Sequence, residues 1–243
     1  MWDSPRMELV APVRIGPLNV RRVAKDPGKA TESSLTVVLM HGFGAPGDDL
    51  VAMAGSLQAP AGTTFLFPEA PLSLGDLMPV PIMGDARAWW PIEIGRFERA
   101  MRSGTLDRIV DEIPEGLAKA RADLVAMLDE VKSDRIVLGG FSQGSMLATD
   151  VVLRSERTFA GLVILSGTYL AWSEWTPRMA TKKGLKVFQS HGRGDELLPY
   201  SIAEKLKGSM VDAGMNVSFT PFEGGHGIPP SVMRDLGTWL SKV

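Results

Sequence analysis

The chain of 243 residues contains no cysteine, which excludes disulfide bonds, thiolate metal sites and a cysteine nucleophile. It also lacks a long apolar run and a polybasic run, since its 26 lysines and arginines are interleaved with 28 acidic residues. These absences disfavour a nucleic-acid-binding protein and an inserted membrane protein. We therefore expect no nucleic-acid partner and no stable membrane insertion.

The first six residues, Met-Trp-Asp-Ser-Pro-Arg, lack the charged and then apolar build of a secretory signal peptide. Together with the missing cysteine, this predicts a cytoplasmic protein. The hydrophobic fraction of 44% and the charged fraction of 22% are ordinary for a globular protein with a sizeable core. The length fits one domain over residues 1–243, with a homodimer as the alternative to a monomer.

Short apolar runs rich in β-branched residues recur along the chain and predict strands. They lie at 35–40, 63–67, 135–141, 160–165, 185–189 and 216–222. Several are apolar throughout, which is typical of parallel strands buried on both faces. The segment 13–24 predicts an additional antiparallel edge.

Helical patterns separate these runs. Residues 113–131 repeat apolar positions every three or four residues, beginning at Ile113, and Pro114 suits the first turn of such a helix. Further helices are predicted at 48–57, 143–155, 199–213 and 230–241. Strands that alternate with helices predict an α/β fold, in which helices flank both faces of a mostly parallel central sheet.

The segment from about 68 to 104 breaks this alternation with five prolines and no clear period. A long loop in a compact domain is usually functional, and its apolar side chains need a surface or a ligand to contact. Two interpretations stay open, a packed surface flap and a lid over a substrate pocket. In the second, the acyl-pocket lining would include Met78, Met83, Trp89 and Trp90.

Residues 140–144 read Gly-Phe-Ser-Gln-Gly, directly behind a predicted strand. A sharp strand-to-helix turn needs glycine two positions before and after the serine, because a Cβ would collide where the chain reverses. Such a turn exposes the Ser142 hydroxyl, which can attack a carbonyl carbon if a base takes its proton. In a chain with 26 glycines the pattern alone is a modest signal, so the partners decide.

Only three histidines are available as the base. His41 follows the predicted strand 35–40 in a His-Gly-Phe-Gly loop, where backbone groups are expected to act. His191 closes a strand. His226 lies in a Gly-Gly-His-Gly loop between the last predicted strand and the last helix, so it is free to reach the serine.

The third member of the site must accept the other ring N–H of the histidine. Asp195 follows the predicted strand 185–189 in a glycine-containing loop, and the order Ser142, Asp195, His226 is that of α/β-hydrolases. Glu196 is the competing acid. For the oxyanion, the backbone N–H of Gln143 and that of Phe43 are the predicted donors.

Beyond these residues, the chain resembles the phospholipase/carboxylesterase family of α/β-hydrolases, which includes acyl-protein thioesterases. The resemblance runs from about residue 35 to the C-terminus and rests on the motifs at 39–44, 67–71, 87–90, 138–144, 191–195 and 225–226. It implies an α/β-hydrolase fold, with Ser142, Asp195 and His226 as triad and Phe43 and Gln143 as oxyanion donors.

Two positions differ from the family's thioesterase members. Those members have an aspartate shortly after the His-Gly-x-Gly motif, whereas here residues 45–47 (Ala-Pro-Gly) precede Asp48 and Asp49. Glu69 takes the place of a proline-flanked histidine. Both positions lie near the expected acyl chain and leaving group, so they bear on the choice between ester and thioester and leave the triad intact.

We therefore expect a serine carboxylester hydrolase that acts on small-molecule acyl esters of short to medium chain, without a metal or organic cofactor. Lysophospholipase and acyl-protein thioesterase activities are the nearest alternatives, followed by acyl transfer to an alcohol and a non-catalytic ligand-binding relative. Arg87 and Arg193 either contact a phosphate or carboxylate of the substrate or pair with Glu69 and Glu196 as ordinary surface arginines.

Overall fold

An eight-stranded sheet forms the centre of the computed structural model, which describes residues 11–31, 34–77, 84–92, 99, 103 and 110–243. In chain order its strands are β1 (Val13–Ile15), β2 (Leu18–Ala24), β3 (Thr36–Met40), β4 (Thr64–Pro68), β7 (Ile136–Phe141), β8 (Gly161–Leu165), β9 (Lys186–Gly192) and β10 (Asn216–Phe222). A separate two-stranded antiparallel ribbon pairs β5 (Leu72–Ser73) with β6 (Arg87–Ala88).

The spatial order of the large sheet is β1-β2-β4-β3-β7-β8-β9-β10. In this order the strands from β4 to β10 are parallel to one another, while β2 pairs antiparallel with both β4 and β1 at one edge. Each run that predicted a strand forms one, with ends that shift by up to three residues. The prediction of a mostly parallel sheet with an antiparallel edge is confirmed.

Helices cover both faces of the sheet, which divides the apolar core into two layers. One layer packs under α3 (Leu117–Glu130), α4 (Gln143–Arg154), α5 (Trp172–Met179) and α6 (Tyr200–Asp212). The other layer packs under α1 (Met53–Ser56) and α7 (Pro230–Leu240). A further short helix, α2 (Leu74–Leu77), follows β5. Among the described residues, no helix has both the length and the apolar character to cross a membrane.

Two predicted helices are shorter than the sequence pattern indicated. Of the segment 48–57 only Met53–Ser56 is α-helical, because the preceding backbone forms successive three-residue turns, such as the bond from the Val51 N–H to the Asp48 carbonyl. The helix predicted to begin at 113 begins at Leu117, because Gly116 adopts a left-handed φ of 92°. Ile113 therefore lies outside the helix and is 52% exposed.

The helix α5 was not predicted, because Pro177 lies inside it and proline normally argues against a helix. Trp175 and Met179 on this helix are fully buried against the core. Their burial stabilises the helix despite the amide hydrogen that proline lacks.

Candidate active site

Ser142 lies at the carboxyl end of β7, between the strand and the first residue of α4. Its backbone has φ 51° and ψ −120°, a conformation that a residue with a Cβ rarely adopts. The Ser142 N–H donates to the Leu165 carbonyl at 2.9 Å, which ties the turn to the end of β8. A strained residue held this firmly at a strand end indicates a functional position.

The two glycines of the pentapeptide lie against the neighbouring strand β3. A Cβ on Gly140 would lie 2.5 Å from the Met40 carbonyl oxygen, and one on Gly144 would lie 2.3 Å from the same atom. Both distances are far below van der Waals contact, so these positions require glycine. The turn therefore depends on close approach of β3 and places the loop after β3 beside Ser142.

That loop, residues 41–44, is held from below by the His41 ring. Its Nε2 accepts the Ala70 N–H at 3.0 Å, so its Nδ1 carries the proton and donates to the Gly42 carbonyl at 2.9 Å. Burial lowers the pKa of His41, which keeps the ring neutral and suited to these two bonds. A side-chain role in proton transfer is not open to a ring with both nitrogens engaged.

The loop approaches Ser142 closely. A Cβ on Gly42 would lie 3.2 Å from the Ser142 Cβ. On the far side of Phe43, the Gly44 N–H donates to the Arg87 carbonyl at 2.8 Å, and the Arg87 N–H returns a bond to the Ala45 carbonyl. Both neighbours of Phe43 are thus fixed, so its backbone has a set orientation beside the serine.

Gln143, the other predicted oxyanion donor, is the first residue of α4, where a backbone N–H has no acceptor within the helix. Its side chain is completely buried and joins the 89–90 segment to the site. The Trp89 N–H donates to its Oε1 at 2.9 Å, and its Nε2 donates to the Trp90 carbonyl at 2.8 Å. The side chain thereby orients the first turn of α4.

The two tryptophans do not have the predicted position. Trp89 and Trp90 are 2% and 1% exposed and belong to the core, and the Trp89 indole N–H donates to the His41 carbonyl. Rings this deeply buried offer almost no surface to a ligand, so they support the site from beneath. The other two residues predicted to line the acyl pocket, Met78 and Met83, lie outside the described residues.

His226 and Asp195 form the hydrogen-bonded pair that the sequence order suggested. The His226 Nδ1 lies 2.7 Å from the Asp195 Oδ2, which leaves Nε2 free to accept a proton. The other carboxylate oxygen accepts the N–H groups of Leu197 and Leu198 at 3.0 and 2.8 Å. Glu196, the competing acid, is exposed and makes none of these contacts.

Opposing effects act on the ionisation of Asp195. Burial alone would raise the pKa of the carboxyl, but the N–H groups of His191, His226 and Leu198 around it hold the pKa well below its ordinary value. The carboxylate is therefore charged across the whole physiological range. A charged carboxylate can both orient the His226 ring and stabilise its protonated form.

Three contacts that the sequence pattern does not predict hold His226 near the serine turn. The Phe141 ring lies 4.8 Å from the His226 ring, centroid to centroid. The Ser166 hydroxyl at the end of β8 donates to the Gly227 carbonyl at 2.9 Å. A Cβ on Gly192 would lie 2.3 Å from the Gly225 carbonyl oxygen, so the loops of acid and base are in backbone contact.

The predicted partners of the two arginines near the site are wrong. The Arg87 guanidinium donates to the Ala70 carbonyl at 3.0 Å, and Glu69 is paired instead with Arg21. Arg193 lies 3.4 Å from Glu223, with its guanidinium over the Tyr200 ring. Both arginines thus have protein partners, which favours structural roles for them.

A shallow groove of about 370 Å³ opens beside the Phe141 ring, on the face of the sheet covered by α1 and α7. Its walls are mainly apolar and come from three parts of the chain: Asp49, Leu50, Ala52, Met53, Ser56, Phe141, Ile228 and Met233. No residue of the predicted triad lines it, although Phe141 precedes Ser142 in the sequence and Ile228 follows the His226 loop.

Comparison with known proteins agrees with this architecture. The model of the phospholipase/carboxylesterase family matches residues 24–243. An acyl-protein thioesterase 1 of Mycosarcoma maydis is 31% identical over 234 residues, covering 90% of this chain and 95% of the relative. The acyl-protein thioesterase 1 of Kluyveromyces lactis is 28% identical and covers 93% and 98%.

Solved structures are similar in fold. The esterase PE8 superimposes with a TM-score of 0.70 at 24% identity and covers 92% of this chain and 97% of its own. The carboxylesterase of Bacillus cereus gives a TM-score of 0.66 at 18% identity, with 92% and 94% covered. The fold is therefore the α/β-hydrolase fold, and the protein belongs to the phospholipase/carboxylesterase family.

Proposed function

We propose that the protein is a serine carboxylester hydrolase that cleaves short- to medium-chain acyl esters through an acyl-enzyme on Ser142. The observation that carries this proposal is the bond of 2.7 Å between the His226 Nδ1 and Asp195, next to a serine in a strained strand-to-helix turn. Membership of a family of ester hydrolases supports the same chemistry.

In the proposed reaction, the Ser142 hydroxyl oxygen attacks the carbonyl carbon of the ester while His226 Nε2 takes its proton. The backbone N–H groups of Phe43 and Gln143 bind the resulting oxyanion. Collapse of the tetrahedral intermediate breaks the carbon–oxygen bond, and His226 gives its proton to the departing alcohol. Water then attacks the acyl-enzyme, again with His226 as base, and releases the acid and free Ser142.

Two charges develop during the proposed reaction, and a group of opposite charge or polarity lies beside each of them. The oxyanion forms next to the first turn of α4, where unpaired N–H groups and the positive end of the helix favour negative charge. The imidazolium of His226 forms next to the ionised carboxylate of Asp195. Neither group has to move at the moment of reaction, because the surrounding backbone contacts already fix both.

Replacing Ser142 by alanine tests the proposal. We expect the variant to lose at least 10³-fold in turnover of p-nitrophenyl butyrate, since removal of a triad nucleophile leaves only the residual effect of the oxyanion site. Labelling by a fluorophosphonate probe should disappear as well. Ser201→Ala, an exposed serine on α6, is the matched control and should keep both. Labelling that survives Ser142→Ala contradicts the assignment.

A thioester substrate is the second candidate, because the relatives that cover nearly all of this chain are named acyl-protein thioesterase 1. Glu69 and residues 45–47 are the two positions near the site at which this chain differs from the thioesterase members of the family. The structure packs Gly47 against the Glu69 side chain, which is paired with Arg21. Rates for an S-acyl peptide and for the matched O-acyl peptide, over acyl chains of four to sixteen carbons, separate the two activities.

A further inference from the structure

We propose that His191 is a positioning residue for the catalytic acid, which fixes the turn that carries Asp195 and shares the carboxylate oxygen that binds His226. This inference rests on the proposed function and deepens it. In this view His191 is a second histidine of the site, and it affects His226 only through its contact with Asp195.

His191 is the penultimate residue of β9 and is fully buried. Its Nε2 lies 2.7 Å from the Leu198 carbonyl oxygen and 3.3 Å from the Asp195 Oδ2. The shorter distance identifies the Leu198 carbonyl as the main hydrogen-bond acceptor. The carboxylate oxygen then lies beside the same N–H dipole as a second, weaker acceptor.

The surroundings of the ring set its tautomer. An oxygen of Leu198 and an oxygen of Asp195 both face Nε2, and neither can donate a hydrogen bond, so Nε2 must carry the proton. The other nitrogen, Nδ1, is buried and has no hydrogen-bond partner within the part of the chain that the structure describes. A proton on Nδ1 would be a buried donor without an acceptor, which costs more free energy than a bare lone pair.

Through this one N–H, His191 closes the turn from 195 to 198. The Leu198 N–H donates to the Asp195 Oδ1, and the Leu198 carbonyl accepts from His191. The same peptide segment is thus held from both sides. As a result, Oδ2 faces His226 and cannot rotate away without breaking the bonds at Oδ1.

The shared oxygen has an electrostatic consequence. Each N–H that faces a carboxylate oxygen withdraws part of the negative charge available to the next donor. With His191 in place, Oδ2 stabilises the protonated His226 ring less than it would alone. Loss of the His191 donor should therefore let His226 hold its proton to higher pH.

Loss of the His191 donor leaves the other charged and titratable groups near the site in place. Arg193 faces Glu223 and the Tyr200 ring, and the Tyr200 ring lies 6.3 Å from that of His191. Glu204 on α6 acts on Tyr200. Glu196 points to solvent, and the ring against the other side of His226 is the uncharged Phe141.

The test compares His191→Gln with His191→Leu in hydrolysis of p-nitrophenyl butyrate between pH 5 and 9. A glutamine amide nitrogen reaches about as far as Nε2, so this variant keeps a donor, whereas leucine has none. We expect His191→Leu to lower kcat/KM roughly 10- to 100-fold, the effect of a displaced catalytic group. Its acid limb should move to higher pH, and His191→Gln should restore both properties towards wild type.

A purely structural role gives a different result. Both variants would then lose thermal stability to a similar extent, with an unchanged acid limb in whichever remains active, and that result overturns the proposal. Unchanged kcat/KM in His191→Leu overturns it as well. If the leucine variant does not fold, His191→Asn replaces it, because its amide lies near the Nδ1 position and cannot reach the Leu198 carbonyl.

A measurement without turnover separates this inference from the proposed function. The titration of the His226 Cε1 proton, followed by NMR, should move to higher pH in His191→Leu and not in His191→Gln. If the wild type shows no Ser142-dependent hydrolysis, the proposed function fails and the titration still decides the role of His191. If hydrolysis is present and the titration does not move, only the inference about His191 fails.

Discussion

The three residues of the proposed triad differ in how many of their atoms take part in the site. In the proposed reaction Ser142 acts through one oxygen and His226 through its two ring nitrogens. Asp195 uses both carboxylate oxygens: Oδ1 binds two backbone N–H groups, and Oδ2 faces His226 and His191. In the proposed mechanism one carboxylate oxygen therefore has a structural role and the other has a catalytic role. Its neighbour Glu196 is exposed and has none of these four donors, which supports Asp195 as the acid of the proposed triad.

Replacing Asp195 by asparagine tests this at the scale of one residue. The amide nitrogen would meet N–H donors, so His226 would lose its acceptor and with it the tautomer that leaves Nε2 free. We expect turnover of p-nitrophenyl butyrate to fall by roughly 10⁴-fold at neutral pH. Glu196→Gln is the control and should stay near wild type. A normal rate in Asp195→Asn together with a loss in Glu196→Gln would identify Glu196 as the acid.

At the scale of elements, α4 connects the site to the body of the protein, because ten of its side chains and one glycine are buried. Within it, Asp150 is completely buried and binds three partners from three helices. Its oxygens accept from Arg121 on α3 at 2.6 Å, from Arg154 at 2.8 Å and from the Trp175 indole on α5 at 2.9 Å. This cluster fixes α4 between its neighbours, and through α4 it fixes the serine turn.

Asp150→Asn should therefore destabilise the whole domain. The substitution removes the counter-charge of the partly buried Arg121 guanidinium and leaves Arg154 only its pair with Glu174, which costs about 3 kcal/mol and lowers the melting temperature by roughly 6–12 °C. Asp129→Asn is the matched control, since Asp129 also pairs with an arginine but is 65% exposed, and its loss should cost at most about 1 kcal/mol. Equal melting temperatures for the two variants would contradict this account.

Sequence patterns predicted the strands well because buried parallel strands are apolar throughout and short. The helix α5 was missed, since the contacts that stabilise it, such as the Trp175 indole bond to Asp150, join segments far apart in the sequence. The same limit applies to the site. The Ser142 turn follows from two local glycines. The contacts of His191 lie within residues 191–198, but no pattern of residue types marks them. The bond from Ser166 to the Gly227 carbonyl joins residues 61 positions apart and forms only when the loops after β8 and β10 come together.

The two tryptophans show the opposite failure. Their apolar character and their place in a proline-rich segment predicted a pocket lining, but apolar rings beside a site can equally form its floor. The difference lies in the backbone, because the Trp89 N–H and the Trp90 carbonyl bind the buried Gln143 side chain and so draw the segment into the core. No local pattern records a bond of this kind.

At the scale of the whole molecule, the donors around Asp195 also link catalysis to stability in acid. The pKa of Asp195 in the folded protein lies well below the ordinary 3.8, so on acidification the unfolded chain takes up this proton first. The ionised carboxylate therefore stabilises the folded state above about pH 4. That contribution is lost as the pH falls from there towards the folded-state pKa.

Asp195→Asn removes this pH-dependent contribution and leaves all other carboxylates in place. We expect wild type to exceed the variant in free energy of unfolding at pH 5 by a margin that shrinks between pH 4 and pH 2. Urea unfolding followed by circular dichroism at pH 7, 5, 4 and 3 measures that margin. The Glu196→Gln variant should show no such trend, because its carboxylate is exposed. A margin for Asp195→Asn that does not change down to pH 3 would mean that the surrounding N–H groups do not hold Asp195 ionised, and the electrostatic part of the proposed mechanism would fail with it.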